Sequence, residues 1–171
     1  IASDGIYSAT IPAQAGGTVV AFYVQANDSS SVLTRFPTDL INGAPVRECV
    51  VYFGDTVAAS GFGSYHLWLT QANIDRWSNL PDLSNEPHDG TWVYGNRIIY
   101  NMVSTFSGSP YHQQFDSPIG SPCHYSCDMP ADDKLFGTTS FNKIHAPGNG
   151  PFDDNTIQRE QTAYWMVRQL G

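Results

Sequence analysis

Two residues near the end of this 171-residue chain have the type and spacing to act on a charged ligand. Glu160 follows Ile157 by three positions and precedes Tyr164 by four. On a 3.6-residue period it falls within the stripe Ile157, Ala163, Tyr164, Val167 and Leu170. A carboxylate on the apolar side of a helix needs a partner, because burying a lone charge is costly. Lys143 lies in the strand-like run Thr139 to Ile144 and is one of only two lysines, the other being Lys134. A strand lysine held by a helix glutamate is an arrangement that positions nucleotide phosphates. Both residues also have plain structural readings. Glu160 can reach solvent at the rim or close a structural ion pair. Lys143 can blunt an edge strand against aggregation.

Other reactive side chains group less clearly. His112, His124 and His145 with Cys123 and Cys127 offer nitrogen and sulfur ligands, but their spacing matches no paired zinc pattern, and no metal site is assigned. Ser107-Gly108-Ser109-Pro110, followed by Gly120, could bring backbone N–H groups to a phosphate. The stretch contains neither a Walker pattern nor GxGxxG, and an ordinary surface loop accounts for the same residues. No nucleophile elbow is present, so the chain itself offers no assigned catalytic residue.

The elements that must carry these groups can be read from period and punctuation. Asp153, Asp154 or Asn155 caps the closing helix, Arg168 sits in its last turn and Gly171 follows. Thr70 is placed to cap a short helix from Gln71 to Trp77, with Ile74 and Trp77 on one side. Strands are expected at residues 4–11, 17–26, Cys49 to Phe53, Tyr65 to Leu69, His124 to Met129 and Thr139 to Ile144. A hairpin is expected from Thr91 to Met102 around Gly95-Asn96. The serine-rich stretch Asn27 to Arg35 reads as a linker. Strands dominate and helices interrupt them without a βαβ series, so the class is α+β.

Composition narrows the partners. Net charge is -8 with 41% hydrophobic residues, enough for a core and poorly matched to nucleic acid or an anionic membrane. No apolar run is long enough to span a bilayer. The chain begins with Ile and carries no signal peptide, so it reads as an internal segment or a processed product. Three cysteines, Cys49, Cys123 and Cys127, cannot all pair within the chain, and a free buried thiol is the expectation for each.

From Tyr94 onwards the chain resembles the CotH-like (spore coat protein H) kinase family. The resemblance lies in VYGNRIIYN, GSPYHQQFDSPIG, CHYSCDMPADDKLFG, TSFNKIHAPGN and DDNTIQREQTAYWMVRQLG, with YHLWLTQANIDRW similar to the family's lead-in. Residues 4–26 resemble the end of an immunoglobulin-like or fibronectin-like module. The resemblance implies that residues 1–30 end a β-sandwich and residues 36–171 form the N-terminal lobe of an atypical protein-kinase-like fold with a C-terminal helix. It implies ATP with a divalent metal such as Mg, an extracytoplasmic protein substrate, and a secreted or surface location in bacteria. Glu160 then corresponds to the family's helix glutamate. Cys123 to Asp128, where many members carry a lysine-rich strand, holds no basic residue, which leaves Lys143 for the phosphate. The resemblance places the catalytic and metal-binding aspartates beyond Gly171, in the rest of the same polypeptide. A non-catalytic extracellular module binding protein or glycan is the alternative reading.

Overall fold

The computed structural model describes residues 5–37, 47–56, 64–81, 84–107, 124–144 and 159–170. Among them are nine strands and two helices, so the protein is strand-rich and α+β in character. The main body is one antiparallel five-stranded sheet in sequential order. Its strands are β5 (Tyr65–Trp68), β6 (His88–Tyr94), β7 (Arg97–Ser107), β8 (His124–Asp128) and β9 (Ser140–Ile144). The hairpin expected around Gly95-Asn96 is the β6–β7 turn, where Gly95 takes a φ of 57°.

One face of this sheet carries the core. Trp92, Ile99, Met102, Phe106, Tyr125 and Cys127 are buried there, with Phe141 packed against them. Helix α1 (Gln71–Ser78) closes that face through Trp77, with Leu80 just beyond it. Its start follows the expected chemistry, since the Thr70 hydroxyl accepts the N–H of Asn73 at 3.2 Å. Trp77 then stands edge-on to Tyr125 and stacked on His88, with ring centroids 6.1 and 4.8 Å away.

The longest strand, β7, changes phase once. Gly90 pairs with Met102 and Trp92 with Ile99, so Tyr100 and Asn101 both stand opposite Thr91. That is a β-bulge, and Asn101 sits in it at a φ of 60°, a conformation asparagine tolerates better than most residues. Ile99 is buried before the bulge, whereas Met102, Ser104 and Phe106 are buried after it.

A two-stranded ribbon covers the opposite face. It pairs β1 (Val19–Phe22) with β4 (Cys49–Tyr52). Val50 N–H donates to the Thr91 hydroxyl at 2.9 Å, which ties the ribbon to the sheet. A second ribbon pairs β2 (Val24–Asn27) with β3 (Leu33–Phe36).

Two expectations are corrected here. Residues 5–11 form no strand, because the partner of β1 is β4. The supposed linker Asn27 to Arg35 is a turn and a strand. Asp28 Oδ1 accepts the N–H groups of Ser30 and Val32, each at 2.8 Å, and this side-chain turn folds β3 back on β2. The boundary expected between residues 30 and 36 therefore falls inside a hairpin, and β1 on one side of it pairs with β4 on the other.

Candidate functional site

The clearest constellation of polar side chains facing an open cavity lies where the β1–β4 ribbon meets β5. The ribbon's end supplies the first of them. Gly54 turns the chain out of β4 at a φ of 78°, and a Cβ there would meet the Gly16 Cα at 2.8 Å. Only glycine meets both demands, and the turn delivers Asp55 over the neighbouring strand. Alternation along β5 supplies the next two, since His66 and Trp68 lie two apart and therefore on one face. They pair across the ladder with Val93 and Thr91, the face the ribbon covers.

Asp55 Oδ2 gathers both side chains. Trp68 Nε1–H donates to it at 2.6 Å, and His66 Nδ1 lies 2.6 Å from the same oxygen. The other carboxylate oxygen has no hydrogen bond among the described residues, and neither does His66 Nε2. The Asp55 and His66 side chains are 17% and 27% exposed, so the trio is sheltered yet reachable. It lines a cleft of about 500 Å3, whose apolar walls include Val19, Tyr52 and Ile74. Tyr52 and Trp68 meet there nearly at right angles, with centroids 6.5 Å apart. The volume is ordinary for a small-molecule site.

A second polar cluster lies on the same face of the sheet and is closed. Arg47 Nε donates to Asp89 Oδ1 at 2.6 Å, and the Glu48 N–H reaches Asp89 Oδ2 at 3.3 Å. Arg47 is only 6% exposed. Its Nη2 also donates to the Met102 carbonyl at 3.5 Å, and Arg35 donates to the Arg47 carbonyl at 2.9 Å. The Arg47 guanidinium and both oxygens of the Asp89 carboxylate are taken up internally, which marks the cluster as scaffold. Beside it, burial pushes the Cys49 thiol up to about 11, against the weaker pull of a backbone hydrogen bond from Asn101 and of the Arg47 charge. Burial likewise raises the Cys127 thiol. On the core face His88 is held neutral, lowered to about 4 by burial and secondarily by the Arg76 charge. Neither of its ring nitrogens has a hydrogen-bond partner among the described residues.

Comparison with family models, curated proteins and solved structures finds no match.

Of the residues singled out in the sequence, Lys143 lies on β9, an outer strand of the five-stranded sheet, and Glu160 is the second residue of α2 (Arg159–Gln169). Their side chains, and any contact between them, fall outside what the structure describes. So do His112, His145, Cys123, residues 108–123 and the expected cap at 153–155. Cys49 and Cys127 are free and buried, as expected. The stripe expected to bury α2 is different: Ala163, Val167 and Leu170 are all exposed, and Val167 and Leu170 remain 67% and 87% accessible. Trp165 and Met166 are exposed as well, so apolar side chains surround this helix without a buried side among its described residues. Arg168 does sit in its last turn.

The described residues do not by themselves form a phosphate cradle. Arg47, Arg76 and Arg97 are each paired with a carboxylate, and Arg35 lies over the Tyr23 ring. No group of three or more metal-ligating side chains occurs among them, and no described helix is long and apolar enough to cross a membrane. The Asp55 trio was missed in the sequence, although His and Trp two apart on a strand, shortly after a Gly-Asp turn, was the available signal.

Proposed function

We propose that this chain is the strand-rich lobe of a CotH-like phosphotransferase, which transfers phosphate from ATP, with a divalent metal, to hydroxyls of extracytoplasmic proteins. The observation that carries the reading is the arrangement of elements. Five strands form one antiparallel sheet in sequential order, and the helix that opens with Arg159 and Glu160 comes next in the chain. The segments of family resemblance fall on this order: VYGNRIIYN spans the β6–β7 turn, CHYSCDMPADDKLFG runs through β8 into its turn, and TSFNK covers β9. Lys143 on the outer strand and Glu160 on the following helix would position phosphates. The exposed apolar side chains of α2 suit a helix that meets a further surface.

The test uses the intact polypeptide with Mg and ATP and a hydroxyl-bearing protein acceptor. Glu160→Ala and Lys143→Ala are each expected to lower kcat/KM by roughly 100-fold, the scale of losing one positioned electrostatic group. Unaltered phosphotransfer in both variants would remove these residues from the site. Absence of any ATP-dependent transfer by the intact protein would end the reading.

A further inference from the structure

We infer that the Asp55–His66–Trp68 cleft binds a neutral glycan, taking one or two sugar rings, at a site separate from any phosphate chemistry. The charge pattern excludes the first competitor. Among the described residues no lysine or arginine lines the cleft, and the His66 ring is already engaged by the Asp55 carboxylate, so a phosphate or nucleotide would lack a free cationic partner. A cationic ligand fares little better. Asp55 Oδ2 already takes the Trp68 N–H and the His66 ring nitrogen, which compensates the charge a cation would seek.

What remains suits hydroxyl groups. Among the described residues Asp55 Oδ1 is an acceptor without a donor, and His66 Nε2 has no partner. A sugar hydroxyl donates to the first, and it can accept from or donate to the second, whichever protonation state the ring holds. Two vicinal hydroxyls satisfy both. The apolar walls then take the C–H faces of the ring, with the near-perpendicular Tyr52 and Trp68 offering both an edge and a face. The site is also built in advance. The indole N–H and the imidazole fix the carboxylate before any ligand arrives, so little side-chain ordering remains to oppose binding.

The site depends on no property of the proposed phosphotransferase, and it is tested without ATP. The 171-residue chain is applied to an array of neutral glycans, and the hits are titrated by tryptophan fluorescence and calorimetry beside tetramethylammonium and inorganic phosphate. Saturable binding of a neutral glycan is expected, weakened at least 10-fold by Asp55→Asn. Val19→Trp is the second variant. It fills the cleft from a position 42% exposed and leaves the hydrogen-bonded trio intact, so it decides the matter if Asp55→Asn fails to fold. It too is expected to weaken binding at least 10-fold. No binding across the array, glycan binding that survives Val19→Trp in a folded protein, or preference for tetramethylammonium or phosphate would overturn the assignment.

Discussion

Asp89 and Asp55 are two aspartates on the ribbon side of one sheet, and they have been put to opposite uses. Asp89 meets a guanidinium and a backbone N–H, one on each oxygen, and its Arg47 partner is almost wholly buried. Asp55 concentrates an indole and an imidazole on a single oxygen and leaves the other facing a cleft. Burial alone does not separate them, since their side chains are 18% and 17% exposed. The separation lies in saturation. A carboxylate with partners on both oxygens ties strands together, and one with a spare oxygen beside a cavity has capacity for a ligand.

Stability measurements can break that distinction. Removing Asp89 takes away the carboxylate bonded to the buried Arg47 guanidinium, so Asp89→Ala is expected to cost about 3–5 kcal/mol in urea unfolding. Asp55→Ala strips a carboxylate from groups that water can reach, and about 1 kcal/mol is expected. Equal losses would show that both aspartates are scaffold.

The two histidines sharpen the contrast through pH. His66 opens on the cleft, whereas His88 is fully buried and lowered to about 4 from an ordinary 6.5. The unfolded chain therefore binds a proton that the folded chain refuses between those values. Stability from this residue is complete above pH 6.5 and falls as the pH drops towards 4, by roughly 2–3 kcal/mol in total. Urea midpoints measured from pH 7 to 4 should show the decline, and His88→Phe should flatten it. An unchanged slope in that variant would locate the titration elsewhere.

The smallest effect concerns the indole. Trp68→Phe keeps a ring beside Tyr52 but deletes the donor to Asp55 Oδ2. A loss of about 0.5 kcal/mol is expected, with the far-UV spectrum unchanged. A loss as large as that of Asp89→Ala would make the trio a strut, like the Arg47 cluster.

Much of the fold was legible because local chemistry agrees with it. Thr70 caps α1, Gly95-Asn96 turns the β6–β7 hairpin, and CVVY, YHLW and HYSCD all lie in strands. The failures came from pairing. Nothing within residues 4–26 says that β1 will choose a partner some thirty residues on, and a serine-rich stretch hides the single aspartate that folds it into a hairpin. The cleft was illegible for the same reason. Asp55 and His66 become neighbours only because a ribbon lies across the sheet, and alternation within either segment carries no trace of it.

The bulge at Tyr100 and Asn101 bears on how related chains should be lined up. Before it, odd-numbered Ile99 faces the core, and after it the even-numbered Met102, Ser104 and Phe106 do. A gap of one residue placed there is not a change in loop length. It exchanges inside for outside along the rest of the longest strand, so an alignment that slides across this point assigns core positions to the solvent side without any visible loss of similarity.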